Sequence, residues 1–178
     1  MSAIAAAQYG QPGFVNISIS SIALPIVLKV LPAGARTSRS VSRYKPKGMP
    51  PVPLRSISTA SAPNPVGPYS QAIVAGGFVF TAGQVGLDPA TGKIVEGLDA
   101  QVNQALDNIR AVLTAAGLDV TDIVKVTFFL TDMSAFGAVN AIYERFLGTH
   151  RPARTTVGVA ALPGGSLFEV DAIALARQ

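Results

Sequence analysis

The sequence predicts an α+β domain of order ββ-α-β-α-ββ, with two helices covering one face of a mixed sheet. Three observations predict it. Two segments repeat apolar residues at helical spacing, β-rich runs stand before, between and after them, and glycine- and proline-containing turns separate the runs. Helices on one side leave the other side of the sheet to be buried by neighbouring molecules.

Residues 71–74 and 78–84 read as two short strands joined at Ala75-Gly76-Gly77, a hairpin turn. Residues 87–92 form a loop with turn chemistry at nearly every position. Leu98, Val102, Ala105, Leu106, Ile109, Val112 and Leu113 then recur on one helical face, with Asp107 and Arg110 off it, and Gly117 ends the helix. In the strand at 123–131, Val124, Val126, Phe128 and Leu130 alternate with Lys125, Thr127, Phe129 and Thr131, so one face is core and the other is mixed. Ser134 is expected to cap a second helix whose inward face is Phe136, Val139, Asn140, Tyr143 and Phe146/Leu147. Residues 153–160 and 167–176 complete the order. The Leu162-Pro163-Gly164-Gly165 segment between them suits a type II turn, which predicts an antiparallel hairpin.

Charge divides the chain. No acidic residue precedes Asp88, while Lys29, Arg36, Arg39, Arg43, Lys45, Lys47 and Arg55 lie in the first 57 residues. That stretch is also rich in Ser, Ala and Pro, the composition of an organelle transit peptide, disordered and cleaved near 55–60. A disordered tail without a targeting role is the alternative. The uncharged first residues favour a chloroplast address, the stroma, over a mitochondrial one. The apolar run at 19–31 is interrupted by Pro25 and Lys29 and is too short to span a bilayer. Residues 58–178 form the expected domain, with seven basic against ten acidic residues, a net of −3. A nucleic-acid partner is therefore not implied, although the whole-chain pI is 9.7. Charged residues are only 13% of the chain, against about 25% in an average soluble protein. So few charges on a small domain imply apolar contacts between subunits.

Several chemistries are excluded. Without cysteine there is no thiol nucleophile, disulfide or thiolate metal site. His150 is the only histidine and cannot build a multi-His metal site; it reads as a surface or loop residue. No phosphate-binding glycine loop occurs.

What remains is a short set of polar residues in apolar elements. Arg154 lies in a strand of small and apolar residues, with Thr156 on the same face. A strand of that kind is expected to be buried, where a guanidinium needs an anion: a structural carboxylate on the next strand, or a ligand. Glu169 and Asp171 share a face of the last strand, and two carboxylates there are costly unless paired, metal-bound or functional. Hairpin register sets Arg154 nearer Ile173 than Glu169, which leaves room for a small anion between them. Asn140 is a polar residue on an apolar helix face, either a buried amide satisfied by backbone or a ligand contact.

Three stretches carry a family resemblance. Gly67-Pro68-Tyr69-Ser70-Gln71-Ala72 followed by Phe78-Val79-Phe80-Thr81-Ala82-Gly83-Gln84 resembles the opening of RidA (YjgF) family domains. Ala138-Val139-Asn140-Ala141-Ile142-Tyr143 is similar to the family's second helix. Pro152-Ala153-Arg154-Thr155-Thr156-Val157 with Phe168-Glu169-Val170-Asp171-Ala172 is similar to its C-terminal signature. The resemblance implies a chorismate-mutase-like fold and a homotrimer with three ligand clefts between subunits. It implies hydrolysis of reactive 2-imino and 2-enamino acids, such as 2-iminobutanoate released by pyridoxal-phosphate dehydratases, without metal or cofactor and away from membranes. Arg154 matches the arginine that grips the substrate carboxylate, and Glu169 the acid that positions water. Tyr69, Asn140, Thr156 and the Ala82-Gly83 backbone match cleft-lining positions. Ala161 stands where many members have Arg, Gly158 where many have an acid, and Ala82 where Ser is frequent, which bears on substrate preference. Rival functions are a non-catalytic trimeric metabolite binder or chaperone-like protein, and a ribonuclease; Arg154 argues against the first and the negative domain charge against the second.

Overall fold

The computed structural model describes residues 52–177. The expected transit peptide lies outside the described residues up to position 51, and so do its disorder and removal. Its last part does not: Arg55–Ile57 is the first strand, β1, and Ile57 is buried. The sheet therefore starts three residues ahead of the expected boundary at Ser58.

The remaining elements are β2 (Ala72–Ala75), β3 (Phe78–Thr81), β4 (Gln84–Val85), β5 (Leu87–Asp88), β6 (Lys93–Ile94), α1 (Leu98–Ala115), β7 (Ile123–Leu130), α2 (Phe136–Leu147), β8 (Ala153–Gly158) and β9 (Phe168–Leu175). The main sheet runs β1-β2-β3-β9-β7-β8, with β4 also on β9, and β5–β6 is a small separate ribbon. The result is an α+β fold with two helices on a mixed sheet.

Strand order departs from the expected hairpin at the C-terminus. β8 pairs with β7 in parallel, from Lys125↔Ala153 to Leu130↔Gly158, with α2 as the crossover that a parallel pair requires. β9 inserts between β3 and β7, antiparallel to both. Burial explains the choice. Phe168, Val170, Ala172 and Ala174 of β9 are all buried, so that strand takes a central place. β8 exposes alternate residues and takes the edge, correcting the expectation that it is a buried strand. The Pro163–Gly165 segment is a single 3-10 turn, not a hairpin turn.

Two bulges re-aim side chains. Extending the β3 register would set Gln84 opposite Glu169, but Gln84 faces Val170, so one extra residue is accommodated at Ala82–Gly83. The expected continuous strand at 78–84 is thus broken there. In β7 the register slips between Ile123 and Lys125. Ile123 takes the inward place and Val124, expected in the core, is 40% exposed.

The helical faces agree more closely. Val102, Ala105, Leu106, Ile109, Val112 and Leu113 are buried beneath α1, and Gly117 ends the turn after it with φ 79°. The cap of α2 differs. Asp132 accepts from the Ser134 N–H at 2.8 Å and leads a 3-10 turn into the helix, so Asp132 and not Ser134 is the capping side chain. Val139, Ile142, Tyr143 and Leu147 face the core.

Gln71, 1% exposed, ties the loop before β2 to the sheet. Its Nε2 donates to the carbonyls of Thr59, Ala62 and Pro63, and its Oε1 accepts from the Thr59 N–H. At the other end of the core Phe128 meets Phe168 and Tyr143 edge-on, at centroid distances of 5.0 and 4.7 Å. The Tyr143 hydroxyl is buried without a hydrogen-bond partner, and burial pushes its phenol up to about 12. An orphaned hydroxyl costs about 1–3 kcal/mol. Tyr143→Phe is therefore expected to leave stability unchanged or raise it by about 1 kcal/mol, read as the urea midpoint at constant m; a loss of stability would show that the hydroxyl has a partner.

Candidate functional site

Arg154 projects from β8 on the helix side of the sheet, opposite Val126, with Thr156 opposite Phe128 on the same side. Both are half-buried. The Arg154 Nη1 donates to Oδ1 of Asn140 on α2 at 2.9 Å. Its guanidinium stands 5.3 Å from the ring centroids of Phe128 and Phe136 and 5.7 Å from that of Tyr143. Among the described residues it makes no ion pair. The structural carboxylate that the sequence left open is not there. An aromatic cage worth about 0.5–2 kcal/mol per face supports the charge instead, while among the described residues one of its five N–H donors is used, by Asn140.

Arg154, Asn140 and Tyr143 line a cleft of about 300 Å³ with Glu144, Leu147, Arg151 and Pro152. Arg151 is already engaged, donating to Glu144 at 3.0 Å and to the His150 carbonyl at 2.8 Å. His150 itself is a half-buried loop residue whose Nε2 lies 2.7 Å from the Ile123 carbonyl. The planar Arg154 fork, open on one edge, is suited to a carboxylate.

Glu169 lies on the other side of the sheet. It pairs with Phe129 of β7 and Val85 of β4, on the face that carries Lys125 and Thr127. The bulge brings Gly83 against it: a Cβ at residue 83 would stand 2.8 Å from Glu169 Cδ and overlap the carboxylate. Burial first, and the charge of Asp171 second, raise the Glu169 carboxyl above the usual carboxylate range. Ala82 is held beside this point by its N–H, which donates to the Gln71 carbonyl at 2.9 Å. Tyr69, two residues before Gln71, is 51% exposed, and its hydroxyl accepts from the Val66 N–H at 3.3 Å.

The chain thus sorts the sequence candidates into two groups. Arg154, Asn140 and Thr156 stand on the helix side of the edge strand. Glu169 stands on the uncovered side with Gly83 against it and Ala82 adjoining, and Tyr69 lies in the exposed loop before β2. Within one chain they do not converge on one ligand. Sequence reasoning missed the cage of Phe128, Phe136 and Tyr143. A signal was available, since Phe136 and Tyr143 flank Asn140 at helical spacings of four and three. No group of His, Cys, Asp and Glu suited to hold a metal occurs among the described residues, and no helix there is long and apolar enough to cross a membrane.

Residues 59–176 match the family model described as Endoribonuclease L-PSP. A RutC family protein of Pyrococcus horikoshii is 50% identical over 119 residues, which cover 66% of this chain and 94% of that one. The 2-iminobutanoate/2-iminopropanoate deaminase of Salmonella typhimurium is 45% identical over 126 residues, covering 69% and 98%. Among solved structures, the YjgF gene product of E. coli superposes with a TM-score of 0.67 at 44% identity, covering 69% of this chain and 99% of that one.

Because the end of the Glu169 side chain can swing aside, Gly83→Ala is expected to cost less than about 1 kcal/mol. It should also displace the carboxylate toward water, so that Glu169 titrates nearer an ordinary glutamate in carboxyl ¹³C NMR. An unmoved titration would show that Gly83 does not set the position of Glu169.

Proposed function

The chain belongs to the endoribonuclease L-PSP (YjgF/RidA) family, and on that premise we propose that it hydrolyses 2-imino acids such as 2-iminobutanoate to 2-oxo acids and ammonia. The observation that carries the reading is Arg154: a half-buried guanidinium lining a cleft, surrounded by aromatic rings and in no ion pair among the described residues, while the cleft's one carboxylate, Glu144, is engaged by Arg151. Relatives at 44–46% identity bear the deaminase name, which supports the same reading.

In this proposal Arg154, steadied by Asn140, holds the substrate carboxylate bidentately, with Thr156 beside it. Glu169 of a neighbouring copy, with the Ala82–Gly83 backbone and Tyr69, completes the cleft. The chemistry balances without a cofactor. The oxygen of a water bonds to the carbon of the protonated imine, the C=N pair moves to nitrogen, and one water proton passes to Glu169. That proton returns to the nitrogen, the C–N bond breaks with its pair leaving on ammonia, and the remaining hydroxyl passes its proton through Glu169 to that ammonia as the carbonyl forms. The products are the 2-oxo acid and ammonium. Imines of this kind also hydrolyse in bulk water, so positioning with one acid/base group meets the demand.

The proposal includes a homotrimer, since a cleft made from both groups of residues takes a second copy. Phe78, Phe80, Val157 and Leu175, 37–52% exposed on the strands, supply apolar surface for the contact. Sedimentation equilibrium at micromolar concentration should return about three protomer masses; a single protomer mass would overturn this part. The proposed place of action is the chloroplast stroma, supported by the acid-free, Ser- and Ala-rich first 57 residues. A ribonuclease function is disfavoured by the net charge of −3 over residues 58–178.

The test supplies the intermediate from threonine with threonine dehydratase and lets the chain compete with semicarbazide for it, reading 2-oxobutanoate formation. Arg154→Lys keeps the charge and removes the fork. Losing one charge-assisted hydrogen bond of about 1.5–3 kcal/mol corresponds to a roughly 10- to 150-fold fall in kcat/KM. The fold should persist, because Arg154 balances no buried carboxylate. Near-normal hydrolysis by folded Arg154→Lys would remove Arg154 from the mechanism and overturn the proposal.

A further inference from the structure

Strand β9 carries two carboxylates on one face, and the reaction above uses one of them. Glu169 and Asp171 are two residues apart in β9, so both project from the uncovered side of the sheet, and both are half-buried. A half-buried carboxylate is ordinarily compensated by a cation or by N–H and O–H donors. Among the described residues neither Glu169 nor Asp171 belongs to an ion pair.

The elements packed around the two groups offer little relief. β7 sets Phe129 opposite Glu169 and Thr127 opposite Asp171. β4 sets Val85 opposite Glu169, and the bulge brings only the bare backbone of Gly83. The cation that β7 carries on this face, Lys125, faces Ile173 and donates to Thr155 Oγ1 at 2.8 Å, toward β8 and away from β9. Within one chain Arg154 lies on the opposite face, and in the proposed cleft the neighbouring copy's guanidinium is taken up by the substrate carboxylate. The charge that bears on Glu169 along its own strand is therefore that of Asp171.

We propose that Asp171 is a positioning residue for the hydrolysis: its negative charge makes Glu169 keep the proton taken from the attacking water until the amine is ready to receive it. The inference rests on the reading of Glu169 as the acid/base group. Like charge and burial act in the same direction here, both favouring the protonated carboxyl. A carboxylate with a stronger hold on its proton is also the stronger base toward water, so one arrangement serves both transfers. The local sequence provides it simply: in a strand, residues i and i+2 share a face, and replacing Asp171 by an uncharged residue removes the field while leaving Glu169 in place.

The experiment measures the pH dependence of kcat/KM for the full chain with 2-iminobutanoate generated in situ by an excess of an amino-acid oxidase. Wild type is compared with Asp171→Asn, Asp171→Glu and Glu169→Gln. Asp171→Asn should move the acid limb to lower pH, because Glu169 then ionises more readily, and should leave KM nearly unchanged. Asp171→Glu should restore the limb toward its original position. A uniform loss of rate in Asp171→Asn, with the limb unmoved, would make Asp171 merely structural and overturn the inference while the role of Glu169 stood. Wild-type rate and limb in Glu169→Gln would overturn the reading of Glu169 itself. Should Asp171→Asn not fold, carboxyl ¹³C titration of the wild-type chain decides. There Asp171→Ser is compared with it: the Glu169 resonance should titrate lower in Asp171→Ser than in wild type, and an unmoved titration would overturn the inference.

Discussion

Strand β9 must satisfy backbone partners on both edges while packing Phe168, Val170, Ala172 and Ala174 beneath the helices. That double demand gives it the centre of the sheet and expels β8 to an edge. The alternation of a strand then does the rest. With even-numbered residues of β9 turned to the core, Glu169 and Asp171 have no choice of face and stand on the uncovered side. Arg154 is bound to the other side by its register with Val126, a core residue. The separation of the cationic and acidic groups is thus a consequence of core packing.

The surroundings of Arg154 show how a charge is kept without being neutralised. A carboxylate partner would satisfy the guanidinium but occupy the donors that a carboxylate ligand needs. Aromatic rings attract the cation through their π faces without accepting its N–H hydrogen bonds as a carboxylate would. Asn140 supplies an acceptor that is neutral, so it orients one Nη without cancelling the charge. Glu169 is treated in the complementary way: a glycine and a bulge make room for the carboxylate, and among the described residues it makes no ion pair.

Among the described residues, Arg154 without an ion pair and Glu169 and Asp171 without one face opposite ways across the sheet. The proposed assembly resolves both by apposing the edge of one copy to the uncovered face of another, and the exposed apolar residues of that sheet are consistent with such contact. Gln71 links the parts that would have to arrive together, since one side chain holds the loop before Tyr69 and its carbonyl holds Ala82.

Much was legible from residues alone. Helical periodicity located α1 and, at Val139, Tyr143 and Leu147 though not at Phe136, the buried face of α2; strand alternation put Glu169 with Asp171 on one face of their strand and Arg154 with Thr156 on one face of theirs, because these patterns depend only on local geometry. The motifs around Tyr69, Asn140, Arg154 and Glu169 pointed to the family. Other features were decided by the tertiary structure. The Pro-Gly-Gly segment after β8 fits a hairpin turn in isolation, yet the competition of β8 and β9 for a place beside β7 is settled by how much apolar surface each buries. Ala82–Gly83 reads as continuous strand, but the bulge arises from matching two registers against one neighbour. Ser134 has the chemistry of a cap and loses the position to Asp132, whose carboxylate reaches the Ser134 N–H. The partner of Arg154 was likewise beyond local reasoning: which groups surround a side chain depends on which elements share its face, and non-local strand pairing decides that.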